Sequence, residues 1–298
     1  MAGAGGWGEA VALQATGLTK SYRRRTWALR GVDLSVPAGS VTALVGPNAA
    51  GKSTLIKTWI GFERPTAGSV SVFGIDPWRD RAAALAQIGY VPQSPSLYRG
   101  LSVTDHLDLA SDLRPGFDAS TARDRLERLD IPLDSRAGDL SGGQQAQVHL
   151  CLALGTRAKV LLLDEPLASL DPLARREFLN VLAEAVRSDG VTALLSSHVI
   201  TDIQQACDRL VVLGVGQLLF DGRIAEALAQ HGVGPGSDIR EVRAETEVAT
   251  FAEADGSLST LHRVDGAPSE GVRPATLEEV VLGYLVAGRT TRRAAEAA

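Results

Sequence analysis

The stretch GPNAAGKST, residues 46–54, carries the strongest indication of the fold in this chain. It matches the pattern GxxxxGK[ST], a glycine-rich loop whose backbone amides hold phosphate groups. The residues TALV before it predict a strand. The residues after it predict a helix whose apolar face consists of Leu55, Ile56, Trp59 and Ile60. A strand, a phosphate loop and a helix in this order indicate a nucleotide-binding α/β protein.

The phosphate loop, as we call residues 46–54, assigns chemistry to its side chains. Amides at the helix start and the positive end of the helix dipole form an anion site. Lys52 adds a charge for the β- and γ-phosphates, and Ser53 offers a hydroxyl to Mg²⁺. The predicted nucleotide-binding residues are Gly46, Asn48, Ala49, Ala50, Gly51, Lys52, Ser53 and Thr54.

Ala49 stands where loops of this kind usually carry glycine. If the position requires a positive φ, the alanine costs about 1–2 kcal/mol. Borne entirely by the bound loop, that strain weakens nucleotide binding by about tenfold. The stretch alone is therefore compatible with a working site, a weakened site or a chance match.

Composition limits the classes of protein to which this chain can belong. A chain of 298 residues, 45% hydrophobic and 22% charged, suits one large or two modest globular domains. The net charge of -5 argues against a dedicated nucleic-acid binder, so no nucleic-acid partner is expected. Cys151 and Cys207 are too far apart for a CxxC metal site and are expected to be reduced thiols. We find no secretory signal and no run of about 18 apolar residues, so no membrane span is expected.

The rest of the chain alternates apolar runs with helical patterns, as in an α/β fold. A helical, polar insertion is predicted between about Leu101 and Gly138. After Gly232 we expect loop-rich segments with short strands, then a helix at about Leu277–Val286 and a disordered charged tail. The predicted strands are Val41–Val45, Val70–Phe73, Ile88–Val91, Val160–Leu163, Val191–Leu195 and Leu210–Leu213.

Two further motifs fit phosphate chemistry. In KVLLLDEP, residues 159–166, a buried strand ends in two acids: Asp164 can hold Mg²⁺, and Glu165 can orient or deprotonate an attacking water. An acidic pair that merely ends a strand is the alternative. In LSGGQ, residues 140–144, Ser141 can cap a helix. The same helix start is also a second phosphate-binding end, made of Ser141, Gly142, Gly143 and Gln144.

Together these residues resemble the nucleotide-binding domain of ATP-binding cassette (ABC) transporters, over about residues 11–230. Three short motifs follow the family's order: VPQ with Gln93 at the Q-loop, SLD with Asp171 at the D-loop, and SSH with His198 at the switch histidine. Tyr22 in TKSY matches the aromatic residue that stacks on adenine. Taken singly, Gln93 is an ordinary loop residue, His198 a strand-end residue, and Asp171 a helix cap before a proline.

The resemblance implies a P-loop NTPase core sheet of mainly parallel strands, with an antiparallel β portion and a helical subdomain at about 100–155. The ABC ATPase domain is predicted at 1–232, here called the cassette. A small C-terminal extension is predicted at 233–298. Cofactors are expected to be ATP and Mg²⁺, with Ser53, Gln93 and Asp164 as the metal-binding residues.

The resemblance also implies a mechanism. Two cassettes face each other head to tail, as a homodimer or heterodimer. ATP on Lys52 of one is closed over by Ser141 and Gly143 of the other. Glu165 polarises water, and His198 contacts the γ-phosphate. Gln93 senses Mg²⁺ and water and passes the signal to an integral membrane permease, which places the chain in the cytoplasm at the inner face of the cell membrane.

The segments LYRGLSVTDHLDLA and TLEEVVLGYL are similar to bacterial ATPase subunits of ABC-2-type exporters, which serve drugs, lipids or glycans. A non-transport or regulatory ABC ATPase with little turnover is the alternative. A P-loop kinase or GTPase shares the phosphate loop, but LSGGQ ahead of LLLDEP has no role there.

Overall fold

The computed structural model describes residues 10–22, 26–94, 96–168, 170–235, 245–253, 256–264 and 271–297. Its strands are β1 (Val11–Tyr22), β2 (Thr26–Pro37), β3 (Val41–Val45), β4 (Ala67–Val72), β5 (Ile88–Val91), β6 (Val160–Leu163), β7 (Thr192–Ser196), β8 (Arg209–Gly214), β9 (Gln217–Arg223), β10 (His231–Pro235), β11 (Glu245–Ala252), β12 (Leu258–Val264) and β13 (Arg273–Pro274). Its helices are α1 (Lys52–Trp59), α2 (Arg81–Ala86), α3 (Val103–Leu113), α4 (Ala119–Arg128), α5 (Gly142–Gly155), α6 (Pro172–Asp189), α7 (Ile200–Ala206), α8 (Ile224–Ala229) and α9 (Leu277–Ala297).

A six-stranded sheet forms the centre of the cassette, in the order β5-β6-β7-β3-β8-β9. Its first five strands are parallel, and β9 runs antiparallel to β8. Every residue of β3, β6 and β7 is buried, as expected for strands covered on both faces. The predicted core sheet is confirmed. The carboxyl ends of β3, β5, β6 and β7 meet at one edge, where open α/β sheets bind ligands.

The antiparallel portion is a three-stranded sheet in the order β2-β1-β4. It includes the strand predicted at Val70–Phe73, which begins earlier, at Ala67. Between this sheet and the central one lies α1, whose Trp59 is fully buried. The indole nitrogen of Trp59 donates a hydrogen bond to the carbonyl of Gln14 in β1, at 3.0 Å. The helix after the phosphate loop is therefore held from both sides.

Three helices, α3, α4 and α5, form a cluster with a small core of its own, within the range 100–155 predicted for the helical subdomain. Its buried members include Val103, Leu107, Leu126, Val148 and Cys151. The start of α3 is fixed by a capping box, in which Ser102 and Asp105 exchange hydrogen bonds.

The C-terminal residues build a four-stranded antiparallel sheet in the order β11-β12-β10-β13, followed by α9. The predicted boundary at 232 falls inside β10. Val212 of β8 shares one hydrophobic core with Leu261 of β12 and Val280 of α9. The extension therefore packs on the cassette and has no separate core among the described residues.

The final helix was predicted too short. It was expected to end at about Val286 before a disordered tail, but α9 continues to Ala297. The last residues, RRAAEAA at 292–298, consist of alanine, arginine and glutamate, which have high helix propensity and explain the continuation. None of the helices in the described ranges combines the length and apolar composition needed to cross a bilayer.

Candidate nucleotide site

The phosphate loop joins β3 to α1 and lies directly against its neighbours. A Cβ built on Gly46 would stand 2.1 Å from the carbonyl oxygen of Leu213 in β8. One built on Gly51 would stand 2.5 Å from the carbonyl oxygen of Ala28 in β2, and Gly51 also has a φ of 109°. Only glycine fits these two positions without moving backbone. Ala49 has a φ of 63°, so the positive φ predicted for it is confirmed.

Lys52 is buried and crosses its own loop. Its ammonium donates a hydrogen bond to the carbonyl of Gly46 at 2.7 Å. It also lies 3.0 Å from Oε1 of Glu165. Lys52, which was predicted to bind phosphate, therefore lies next to Glu165, which was predicted to act on the attacking water.

Asp164 is fixed by two hydroxyl groups. Ser53 donates to its Oδ1 at 3.0 Å, and Ser196 donates to the same oxygen at 3.1 Å. The Ser196 hydroxyl also accepts the backbone N–H of Glu165 at 2.7 Å. Ser196 was not singled out in the sequence. The one signal that could have identified Ser196 is its position at the end of β7, the strand beside β6.

Glu165 sits in a strained backbone conformation, with a φ of 47°. Its Oε2 lies 3.3 Å from Nδ1 of His198, so the buried carboxylate stands between Lys52 and His198. The histidine side chain is half exposed. The structure thus brings together Lys52, Glu165 and His198, three of the charged or titratable residues predicted at this edge.

A cavity of about 480 Å³ opens over the phosphate loop, within the range of ordinary ligand pockets. Gln93 and Glu165 lie on its wall, and the predicted adenine contact Tyr22 is there too, with its hydroxyl 3.4 Å from Oγ1 of Thr54. The full lining is Tyr22, Thr26, Trp27, Ala28, Asn48, Ala49, Ala50, Gly51, Lys52, Ser53, Thr54, Gln93 and Glu165. Neither the LSGGQ residues nor Asp171 belongs to it.

The LSGGQ residues form the exposed start of α5. Ser141 accepts the N–H of Gln144 at 3.2 Å, and the Gln144 amide accepts the N–H of Ser141 at 3.0 Å, a capping box. A Cβ on Gly143 would stand 2.9 Å from Ala174 in α6. Asp171 caps α6 by accepting the N–H of Ala174 at 3.0 Å, which confirms its structural role. The starts of α5 and α6 therefore lie side by side.

Two histidines without an assigned role hold the segment after Gln93. The N–H of Ser96 donates to Nε2 of His149 at 2.9 Å, and the N–H of Tyr98 donates to Nε2 of His106 at 3.0 Å. Burial, and to a lesser degree the neighbouring His106, lowers the pKa of His149 to about 4. His149 is thus neutral at pH 7 and can accept this hydrogen bond.

Comparison with known proteins assigns the chain to a family. Residues 29–168 match the family model described as ABC transporter. The phosphonates import ATP-binding protein PhnC of Thiobacillus denitrificans is 36% identical over 236 residues, which are 74% of this chain and 90% of that protein. The chain belongs to the ABC transporter family. It is an ATPase whose ATP hydrolysis is coupled to transport.

Other ABC proteins agree. The lipopolysaccharide export system ATP-binding protein LptB of Acidithiobacillus ferridurans is 33% identical over 220 residues, 70% of this chain and 89% of that protein. A solved structure titled "Structure of ATP binding subunit of ABC transporter" superposes with a TM-score of 0.66 at 30% identity, covering 72% of this chain and 91% of that chain. The predicted family and fold are confirmed. One relative is named for import and the other for export, so the exporter subfamily remains a prediction.

The residues present fit a magnesium ion. Ser53 and Asp164 offer hard oxygen donors that already meet at 3.0 Å, and Gln93 lines the same cavity with an amide oxygen. Oxygen ligands of this kind suit Mg²⁺, which binds through one or two carboxylates together with phosphates.

Proposed function

We propose that the chain binds and hydrolyses ATP to drive a substrate across a membrane through a separate permease, in the direction of export. The observation that carries the proposal is the carboxylate of Glu165, placed between Lys52 and His198 at the phosphate end of the cavity. Such a site needs little covalent chemistry of its own, because phosphoryl transfer is catalysed mainly by positioning and electrostatics.

Each group has a role in this proposal. The phosphate loop and Lys52 bind the β- and γ-phosphates, and Tyr22 stacks on the adenine. Glu165 takes the proton of the water whose oxygen bonds to the γ-phosphorus, while the bond to the β-phosphate oxygen breaks and leaves ADP and phosphate. His198 contacts the γ-phosphate. Ser53, Asp164 and Gln93 would hold Mg²⁺, which supplies charge neutralisation at the phosphates when bound.

The active form is proposed to be a dimer of cassettes, homodimeric or heterodimeric. Ser141 and Gly143 stand outside the cavity of their own chain, at an exposed helix start that suits an anion. A second cassette would supply these residues, with Asp171 beside them, to the ATP held on Lys52. A single chain then has only half of the site.

The permease is proposed to dock near Gln93, at the cytoplasmic face of the cell membrane. Strand β5, which leads to Gln93, lines a mainly apolar groove of about 360 Å³ between the central sheet and α3. Phe62 and Leu113 on its rim are 61% and 74% exposed, which is unusual for large apolar side chains. An integral membrane partner would cover them.

The substrate is proposed to be a drug, lipid or glycan. The name of the relative LptB, a lipopolysaccharide export system ATP-binding protein, supports a lipid or glycan, while the name of PhnC points to import of phosphonates. Substrate uptake into inverted vesicles that contain the chain and its permease tests the direction, since an importer would not load them. The alternative, a regulatory cassette with little turnover, is disfavoured by the intact pair of Glu165 and His198.

Exchange of Glu165 for Gln tests the proposal. The Glu165→Gln variant keeps the phosphate contacts but has no base, so we expect unchanged ATP binding and turnover lower by about 10²–10⁴-fold. We also expect an ATP-dependent dimer, detected as a doubled mass in light scattering. Glu184→Gln on the surface of α6 makes the same chemical change outside the site and is expected to behave as wild type.

Equal turnover by Glu165→Gln and wild type would falsify the assignment of the base. Failure of the folded wild-type chain to bind ATP contradicts the proposed function as a whole.

A further inference from the structure

Two exposed aromatic side chains line the nucleotide cavity, and the proposed function uses only one of them. Tyr22 at the end of β1 is 41% exposed, and Trp27 near the start of β2 is 42% exposed. Both lie on the wall of the cavity that contains Lys52. An indole this open to water leaves much apolar area without a partner.

The position of Trp27 relative to the phosphates follows from its neighbour. The Ala28 carbonyl reaches the phosphate loop, since it would lie 2.5 Å from a Cβ on Gly51. Lys52 and Glu165 mark the phosphate end of the cavity, so the hairpin of β1 and β2 lies at the nucleoside end.

The part of the hairpin that the structure describes offers the cavity ring surface and few polar side-chain groups. Its lining residues are Tyr22, Thr26, Trp27 and Ala28, and the Tyr22 hydroxyl lies against Thr54. Recognition of a base here would therefore rest on stacking more than on hydrogen bonds to the base edge.

The two aromatic rings differ in what already faces them. The ammonium of Lys20 lies 5.0 Å from the ring centroid of Tyr22, so one region of that ring is already in a cation–π contact. Trp27 belongs to no aromatic or cation–π pair within the part of the chain that the structure describes. The indole of Trp27 therefore has more ring surface open to a stacking partner than the ring of Tyr22.

We propose that Trp27 stacks on the base of the bound nucleotide as a second aromatic contact beside Tyr22, and that it sets a preference for purines over pyrimidines. This inference rests on the proposed function, because it assumes a nucleotide on the phosphate loop. A two-ring base covers more of an indole than a one-ring base does. Stacking tolerates any base because each has a π-face. ATP and GTP are therefore bound with similar affinity, and CTP more weakly.

Calorimetric titration with ATP, GTP, CTP and tripolyphosphate tests the proposal. In Trp27→Ala we expect ATP and GTP affinity to fall about tenfold, within what loss of one stacking residue costs. Tripolyphosphate affinity should change less than about twofold, because the phosphate contacts remain, and CTP affinity should fall less than ATP affinity. Trp27→Phe keeps a smaller ring, so its ATP affinity should lie between those of the wild type and Trp27→Ala. Trp78→Ala is the matched control, since Trp78 is 37% exposed and lies outside the cavity lining.

A second readout does not depend on the alanine variant. ATP should quench part of the tryptophan fluorescence of the wild type and of Trp78→Phe, and this quenching should be absent in Trp27→Phe.

Unchanged ATP affinity in Trp27→Ala overturns the role of Trp27. Equal losses of ATP and tripolyphosphate binding also overturn it, since they would indicate support of the phosphate loop. If the folded wild-type chain binds neither ATP nor tripolyphosphate, the proposed function itself fails, a result distinct from the other two.

Discussion

Ala49 shows how a single residue tunes the phosphate loop. Its φ of 63° lies in the left-handed region, where a Cβ costs about 1–2 kcal/mol. The loop keeps every other feature of its pattern: Lys52 lies 3.0 Å from Glu165, and Ser53 donates a hydrogen bond to Asp164 at 3.0 Å. The alanine therefore modifies a complete site.

Replacement of Ala49 by glycine measures that strain. Phosphate binding requires the loop amides in this arrangement, so strain borne by the complex is released in Ala49→Gly. We expect ATP affinity to rise by up to about tenfold. Strain that the free loop already bears should instead raise the free energy of unfolding. Titration with ATP and urea denaturation give the two contributions.

Ala50→Gly is the control for Ala49→Gly. Ala50 is buried and has no positive φ, so its replacement removes a packed methyl group without relieving strain. Glycine keeps the backbone amide, which is the part of Ala50 that the loop would use to bind phosphate, so the replacement should lower stability and leave ATP affinity within about twofold. The strain interpretation is wrong if Ala49→Gly changes neither quantity.

At the scale of elements, β5 and the segment after it connect the nucleotide cavity with the apolar groove. Gln93 lines the cavity, while Tyr90, three residues earlier, lines the groove. His149 of α5 and His106 of α3 hold the segment that follows. A partner seated in the groove would therefore contact elements that reach both Gln93 and the LSGGQ helix.

A negative charge on the rim of the apolar groove should prevent the permease from binding. Affinity purification from membranes should recover an integral membrane protein with the wild-type chain and lose it with Phe62→Glu. ATP turnover by the isolated chain should stay within about twofold. Leu258→Glu, at a side chain 57% exposed compared with 61% for Phe62, places the same charge on the C-terminal sheet and should keep the partner. Recovery of the partner with Phe62→Glu, or of no partner with the wild type, contradicts this docking site.

At the scale of the whole molecule, the C-terminal extension and the cassette share one hydrophobic core. The fully buried Leu277 at the start of α9 belongs to it, together with Ile203 of α7 and Leu210 of β8. The two parts should therefore unfold together.

Leu277→Ala tests this coupling. Loss of the buried side chain should cost about 2–5 kcal/mol. Three of the four tryptophans, Trp27, Trp59 and Trp78, lie in the described part of the cassette, so their fluorescence reports on its unfolding. Urea denaturation should show one transition, shifted to lower urea in Leu277→Ala. Leu282→Ala, on the same helix but 37% exposed, should shift it much less. A tryptophan transition that Leu277→Ala leaves unmoved would mean that the two parts unfold independently.

Much of the site could be predicted because its signals are local. The phosphate loop, the acids after β6 and the Ser141 cap each depend on residues within a few positions along the chain, and the apolar runs gave the parallel strands. The length of α9 was missed because a polar, alanine-rich segment has no apolar face to indicate a helix, although its propensity is high.

Residue type and near-neighbour spacing were enough to predict the motifs of the nucleotide site and the parallel central sheet. Contacts between residues far apart in the sequence depend on the tertiary structure. Ser196 reaches Asp164, His149 reaches Ser96, Trp27 reaches the cavity, and α9 reaches the cassette core. Strand order and helix packing determine these contacts, and neither is encoded in any short stretch of the chain.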